Sequence, residues 1–509
     1  MPDRTEIYPP DDYNRALIEN VHPTGWQNPT PAPMYNLVVI GAGTAGLVAA
    51  AGSAKLGAKV ALIERRMFGG DCLNFGCVPS KLIISSSRVS EEVKEAASHG
   101  VRVLCGSEPD FPKVMARMRK IRARLSSHDS VERFRELGVD IFLGEGRFTG
   151  PNTAEVGGAK LRFKKALIAT GARPFHPPVA GLAEAGYLTN ETVFSLTHRP
   201  RRIAVLGGGA IGCELAQAFL RLGSDVTLLH NKPRLMDRED PDASEVIARA
   251  FMREGMRVVL GDWRLASVTN INGEKILRLE KDGEKDALVV DEILVGVGRS
   301  PNVEGLGLRD AGVVYDTRKG VEVDDHLRTS NHDIYAAGDI CLKFKFTHTA
   351  DAAARIVIRN ALFHGRAKLS RLTVPWCTYT DPEVAHVGMY PEEAVAGGME
   401  VDTWAVRLSE VDRAVMEGRE DGFVKIHTRR GADTILGATI VAAHAGEMIG
   451  ELALAIKAGV GLKGLSELIH PYPTVAEAIR QAADQYNLTR LTPRVGKALA
   501  RWLERARRS

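Results

Sequence analysis

The chain has 509 residues, a formal net charge of +4, 44% apolar and 26% charged residues, and 50 glycines. That near-balance of charge gives no reason to expect nucleic acid, and the length predicts three or four domains of roughly 150 residues. Six scattered cysteines exclude a disulfide scaffold; no apolar run approaches the roughly 18 residues of a membrane span, and the polar, proline-rich start fits no secretory signal, which leaves the cytoplasm as the expected compartment.

Residues 1–34 carry Pro2, Pro9, Pro10, Pro23, Pro29, Pro31 and Pro33 without apolar periodicity and read as an irregular arm. From Tyr35 a buried strand to Ile40 runs into Gly41-Ala42-Gly43-Thr44-Ala45-Gly46, a small-residue helix to about Leu56, and a second strand ending at Glu64. Glycines at 41, 43 and 46 allow a tight turn, close approach to a pyrophosphate and close helix–strand packing. Glu64 lies 18 residues beyond Gly46, near the spacing of about 20 for an acid that bonds ribose hydroxyls.

Next comes Gly69-Gly70-Asp71-Cys72-Leu73-Asn74-Phe75-Gly76-Cys77-Val78-Pro79-Ser80-Lys81. An ideal helix separates residues i and i+5 by roughly 8 to 9 Å, too far for a disulfide, whose Cα atoms need about 4.4–6.8 Å. The backbone must bend between Cys72 and Cys77, and Asn74 and Gly76 permit that. A helix start favours a thiolate, so the stretch reads as a redox pair.

Residues 111–137 read as one long basic amphipathic surface helix, and strands follow around Thr153 to Ala169, ending in Ala169-Thr170-Gly171-Ala172-Arg173-Pro174. An internal repeat then appears: Val38–Arg66 and Ala204–Lys232 match at an offset of 166, giving Gly207, Gly209 and Gly212. The chain therefore has two dinucleotide units. At the position equivalent to Glu64 the second copy has His230, followed by Lys232 and Arg234. Cations without a carboxylate suit a 2′-phosphate, which favours NADPH over NADH. Beyond it lie Gly296-Val297-Gly298-Arg299 and Ala336-Ala337-Gly338-Asp339, where an Asp after Gly is placed to bond a cofactor hydroxyl. Residues 371–487 read as a separate α+β domain. In the tail from Arg494, Val495, Leu499, Trp502, Leu503 and Ala506 share one helical face and Lys497, Arg501, Arg505 and Arg508 another. That helix suits either an anionic membrane or, as the preferred expectation, packing on its own dimer.

Together these segments resemble the class I pyridine nucleotide-disulfide oxidoreductases (flavoprotein disulfide reductases), over about residues 35–487. The Ala337–Cys341 and Lys345–His348 stretches and the Pro471-Tyr472 region look most like the mercuric reductase branch. The resemblance implies an α/β fold with two Rossmann-like domains, one for FAD and one for NAD(P), plus a C-terminal α+β dimerisation domain. The implied boundaries are an arm at 1–34, the FAD-binding domain with the redox pair at 35–188, the NAD(P) domain at 189–310, a return to the FAD domain at 311–370, the dimerisation domain at 371–490 and a basic tail at 491–509.

The resemblance further implies that Gly41, Gly43, Gly46, Glu64, Gly70, Lys81, Thr170, Gly171, Gly338 and Asp339 hold FAD. Gly207, Gly209, Gly212, His230, Lys232, Arg234 and Gly298 would serve NADPH, or NADH. Cys77 would lie against the flavin, Cys72 would meet substrate, and Lys81 would pair with Glu214 near the flavin's reactive nitrogen. Cys105, Cys213 and Cys377 read as structural; Cys341, two residues after Asp339, reads as a small buried residue, with a third redox thiol as the alternative, and no resident metal is expected. In lipoamide and glutathione enzymes a histidine directly before Pro-Thr, with a glutamate five later, moves the thiol proton; this chain has Tyr472 there and Glu477 at the expected spacing, with His470 two residues away. A phenol with pKa near 10 is a poor base where imidazole near 6.5 is matched. The chain also ends without a cysteine after Cys377, so it lacks the C-terminal vicinal pair of mercuric reductases. The implied reaction carries electrons from NAD(P)H through FAD to Cys72–Cys77 and on to a soft metal ion or small disulfide, in a homodimer with a shared active site. A dihydrolipoamide dehydrogenase is the second reading, and a slow flavoprotein serving as a partner- or membrane-binding component the third.

Overall fold

The computed structural model describes residues 7–103 and 108–508; Cys105 lies outside them. The chain divides into two compact units, Met1–Asn231 with Val259–Leu372, and Lys232–Val258 with Thr373–Ser509.

In the first unit the run Tyr35–Ile40 is buried at every position but Asn36, because it lies inside a parallel sheet covered on both faces. It pairs in parallel with Val60–Glu64 on one side and Ala159–Ile168 on the other. Leu37 and Val39 join one core and Val38 and Ile40 the other, as the two-residue period of a strand requires. Ile334–Ala336 returns to pair in parallel with the end of Ala159–Ile168. The second dinucleotide unit repeats the first down to its register: Ile40 faces Ile63, and 166 residues on Leu206 faces Leu229.

The arm departs from the irregular expectation. Asp12–Val21 is a helix whose N-cap, Asp11, accepts from the Asn14 amide at 2.9 Å. The prolines bracket this stretch without entering it, and Leu17 and Val21, one turn apart, are both fully buried. Trp26 docks as well, its Nε1 donating to the Ile141 carbonyl at 3.3 Å. The expected long surface helix is also corrected. It runs Phe111–Ser126, and Ser130 then caps a new helix, Val131–Glu136. One face of it is interior: Met115, Met118, Arg119 and Arg122 are buried.

The second unit is built on a five-stranded antiparallel sheet in the order Pro375–Thr378, Glu383–Gly388, Ile435–Ala442, Phe423–Arg429, Val401–Arg407. Its core joins the sheet to the helices Ala445–Ala458 and Glu477–Thr489. The helix Pro241–Arg253 belongs to this unit too. Trp376 Nε1 donates to Glu239 Oε1 at 2.9 Å, and Lys425 Nζ to Asp240 Oδ1 at 2.9 Å. The tail forms the helix Pro493–Arg508.

Candidate redox site

The redox stretch is two helices, Gly70–Phe75 and Cys77–Glu95, broken at Gly76. The break brings two cysteines five residues apart within hydrogen-bond reach, which a continuous helix forbids. Only Gly76 makes the bend, where a Cβ would come within 2.9 Å of the Asp71 carbonyl oxygen. Asn74 stays helical, and its side chain donates to the Phe68 and Gly70 carbonyls at 2.9 and 2.8 Å, closing the short helix on its own start.

Cys72 and Cys77 stand here as two thiols. The pair is strongly asymmetric. The Cys72 thiol donates to Cys77, and that bond, with further help from Thr347 and the Lys81 ammonium, holds the Cys77 thiol down to about 6 against the desolvation that opposes it. Cys72 is pushed up, first by donating to Cys77 and then by burial. Thr347 Oγ1, the first residue of the helix Thr347–Phe363, is 3.5 Å from Cys77 Sγ. Lys81 Nζ sits 2.7 Å from Glu214 Oε2, whose side chain is buried.

Around the thiols runs a charge lattice that the sequence did not reveal. Arg299 contacts Asp71 at 3.1 Å and Asp339 at 3.4 Å. Asn190 Nδ2 donates to Asp71 Oδ1 at 3.0 Å and to the Phe75 carbonyl at 3.2 Å. Burial raises the Asp71 carboxyl and Arg299 pulls it back. Thr170 and Gly171 are knit to this region through Asn302: Thr170 Oγ1 donates to the Asn302 carbonyl at 2.9 Å and the Asn302 amide to the Gly171 carbonyl at 3.0 Å. Gly298 accepts from the Phe175 amide at 3.0 Å.

The first glycine turn fits a dinucleotide. Gly41 has φ +106°, and a Cβ on Gly46 would sit 1.8 Å from the Gly41 oxygen. Gly43 precedes the helix Thr44–Lys55 with no side-chain cap bond, so the amides of its first turn face an anion site. Glu64 accepts from the Ala42 and Arg66 amides at 2.6 and 2.7 Å, which fixes its carboxylate beside the turn. Gly70 is the hinge between this turn and the redox helix: its φ is +56°, and a Cβ there would meet the Gly43 Cα at 2.6 Å. Gly338, φ +87°, delivers Asp339. In the second copy Gly207 has φ +109° and Gly212 repeats the 1.8 Å approach, while a Cβ on Gly209 would meet nothing within 4 Å. His230 ends the strand Asp225–His230 half-buried, and Lys232 and Arg234 are exposed in the turn after it.

In the second unit, His470 Nε2 lies 3.1 Å from Glu451 Oε1 with its side chain only 6% exposed. Tyr472 is exposed and donates to Asp412 Oδ2 at 2.9 Å, a bond that raises its phenol. Glu477 opens the helix Glu477–Thr489 and pairs with Arg480 at 2.8 Å. Asn190 escaped notice because its contacts join residues far apart in the chain; the Gly296–Arg299 and Lys345–His348 strings stood out in the sequence, but neither revealed the carboxylate partners of Arg299 or the sulfur beside Thr347.

Residues 35–354 match the family described as pyridine nucleotide-disulphide oxidoreductase, and residues 374–483 its dimerisation domain. Among similar proteins, a mercuric reductase of Lysinibacillus sphaericus is 35% identical over 88% of this chain and 82% of its own length. A dihydrolipoyl dehydrogenase of Chlamydia muridarum is 33% identical over 88% of this chain and 96% of its own. Two solved structures share the fold. The Cu(II) complex of the HOCl-induced flavoprotein disulfide reductase RclA from Escherichia coli has a TM-score of 0.78 at 26% identity, over 87% of this chain and 98% of that one. LpdA from Mycobacterium tuberculosis has a TM-score of 0.79 at 29% identity, over 89% and 99%. With a thiol pair poised beside a dinucleotide turn that its second half repeats, the chain belongs to the pyridine nucleotide-disulphide oxidoreductases, FAD-binding and pyridine nucleotide-dependent enzymes with two Rossmann-like domains and a C-terminal dimerisation domain.

Proposed function

We propose that the protein is a homodimeric NADPH-dependent reductase whose Cys72–Cys77 pair delivers electrons to a soft metal ion, with a small disulfide as the other acceptor class. The observation that carries this reading is the asymmetric setting of the thiols: Thr347 Oγ1 lies 3.5 Å from Cys77 Sγ, Lys81 is held at 2.7 Å from Glu214, and Cys72 donates to Cys77, so that Cys77 is lowered and Cys72 raised. Bound FAD supplies a two-electron relay between the coenzyme and the disulfide. Gly41, Gly43, Gly46, Glu64, Gly70, Gly338 and Asp339 would hold it, with Lys81, fixed by Glu214, beside it.

A hydride brings two electrons and one proton. Breaking the S–S bond with them gives one thiol and one thiolate, the protonation state the site favours: the proton rests on Cys72, and Cys77 keeps the charge beside Thr347 and Lys81. The return step also balances. The two sulfurs bind the soft ion, two electrons reduce one Hg(II) to the metal or two Cu(II) to Cu(I), the S–S bond reforms, and the Cys72 proton leaves to water.

Support for a metal over a dithiol comes from the second unit. A dithiol substrate must gain or lose protons, work worth about 10²–10⁴-fold when an imidazole does it. His470 is engaged by Glu451, and Tyr472 offers a phenol with a raised pKa. A metal ion needs only thiolates. The dihydrolipoamide dehydrogenase reading stands second, supported by the similarity to dihydrolipoyl dehydrogenases. The deciding experiment is NADPH consumption by the FAD-loaded protein with Hg(II), Cu(II), lipoamide and glutathione disulfide. Fastest turnover with a metal ion is expected, and fastest turnover with lipoamide reverses the order of the two readings.

A further inference from the structure

The helix Pro493–Arg508 carries no buried residue. Val495, Leu499, Trp502 and Leu503 are 41%, 46%, 65% and 54% exposed. At about 100° per residue they fall, with Ala506, in one arc of roughly 100°. Arg494, Lys497, Arg501, Arg505 and Arg508 occupy a still narrower arc on the far side. The helix has six basic residues and one acid, Glu504, which bonds Arg508. An exposed tryptophan and three large aliphatics aligned along 16 residues constitute a face that water does not stabilise.

Two features of the chain select its occupant. The dimerisation match ends at residue 483, ten residues before the helix begins, so the helix lies outside the segment that this domain shares with the family. A second copy of the same helix would cover the apolar face and leave the cationic face, on the far side, turned to water. An anionic lipid surface complements both sides at once. Trp502 and the leucines enter the boundary between headgroups and acyl chains, and the long arginine side chains reach up to lipid phosphates. Sixteen residues make about 24 Å of helix, short of the roughly 30 Å hydrocarbon core, and no helix among the described residues is long and apolar enough to cross a membrane. The helix therefore lies flat. We infer that Pro493–Arg508 docks the enzyme on anionic membrane surfaces.

Co-sedimentation of the full-length, FAD-loaded protein with vesicles tests this. Partitioning onto phosphatidylcholine vesicles containing phosphatidylglycerol is expected to exceed that onto pure phosphatidylcholine by about tenfold or more and to fall as salt is raised. The double variants Leu499→Glu/Trp502→Glu and Arg501→Glu/Arg505→Glu should each drop to the pure phosphatidylcholine level while keeping the wild-type solution mass and NADPH oxidation. Equal partitioning of the wild type on both vesicles overturns the inference. So does a changed solution mass in the Leu499→Glu/Trp502→Glu variant, which would mean that a second copy covers this face.

Discussion

Arg122 donates to the carbonyl of Asn74 at 2.8 Å, inside the four-residue span between the two redox cysteines. Its other nitrogen donates to Asn14 Oδ1 at 2.8 Å, on the N-terminal helix. A helix as short as Gly70–Phe75 leaves its last carbonyls without intrahelical partners; Arg122 takes one, and Asn190 takes the Phe75 carbonyl. The guanidinium is 1% exposed, and burial, then the neighbouring Arg119, lowers it to about 10. A segment lying before the family match at residue 35 thus completes the scaffold of the redox pair.

Arg122→Met should therefore be costly. It leaves the Asn74 carbonyl and Asn14 Oδ1 buried without donors, at about 1–3 kcal/mol each, so a loss of roughly 2–5 kcal/mol is expected by thermal unfolding. Asn14→Ala should lose less, about 1–2 kcal/mol. Both variants should also shift the pH dependence of thiol alkylation, because the backbone that spaces the sulfurs loosens. An Arg122→Met protein as stable as wild type would show that the bridge carries no load.

The lowered Cys77 thiol gives a pH signature. In the two-electron-reduced, FAD-loaded protein, the long-wavelength band between thiolate and flavin should disappear as pH falls through about 6. Thr347→Val and Lys81→Met should move that midpoint upward, since each removes a group that favours the thiolate. Cys72→Ser should keep a band and Cys77→Ser should lose it; the opposite pattern exchanges their roles. The sign for stability follows. The folded value lies below the unfolded thiol value of about 8.5, so this group's contribution is full above that pH and is lost as pH falls through about 6.

The glycines divide into two kinds with opposite expectations. Gly70→Ala forces a Cβ to 2.6 Å from the Gly43 Cα at φ +56°, and backbone cannot yield there as a side-chain tip would. Loss of FAD retention and of redox-helix order is expected, at a cost of about 1–3 kcal/mol for the dihedral alone. Gly209→Ala meets nothing within 4 Å and keeps an ordinary φ of −80°. That variant should fold and bind FAD like wild type and change only the KM for coenzyme. A thermal unfolding scan and a flavin absorbance spectrum of each separate the two cases.

The contrast shows which parts of the site a sequence exposes. Both glycine turns were legible because their geometry is local: a strand, a turn and a helix start within a few residues, written twice at one offset. Cys72 and Cys77 were legible for the same reason, and helix geometry narrowed their hinge to Asn74 and Gly76, of which only Gly76 bends. Thr347, 270 residues from Cys77, was not, since any small hydroxyl at a helix start reads as a cap. Nor was Arg122, which the pattern of a basic surface helix hid among other cations. The arm was misread because proline density was counted over the whole segment, whereas the helix lies in the proline-free stretch that Asp11 caps.

Tyr472→His tests what separates a metal reductase from a dithiol enzyme. The phenol is exposed and bonded to Asp412. An imidazole with an ordinary pKa near 6.5 can take and return a proton at neutral pH. Lipoamide reduction should rise at least about tenfold in the variant, with metal-ion reduction unchanged. No gain would mean that access to Cys72, rather than proton transfer, limits thiol substrates.

The proposed preference for NADPH is tested at the turn after His230. Glu64 holds the first glycine turn by two backbone amides, but its counterpart is a half-buried histidine, and the exposed turn after it carries two cations, Lys232 and Arg234. A 2′-phosphate meeting two cations gains charge-assisted bonds worth about 1.5–3 kcal/mol each, whereas a 2′-hydroxyl gains almost nothing from them. Lys232→Glu/Arg234→Glu should therefore raise the KM for NADPH by about a hundredfold or more and leave that for NADH nearly unchanged. Steady-state kinetics with both coenzymes and one fixed acceptor decides it. Equal losses for the two would mean that the cations steer any anionic coenzyme and that specificity lies elsewhere in the second glycine unit.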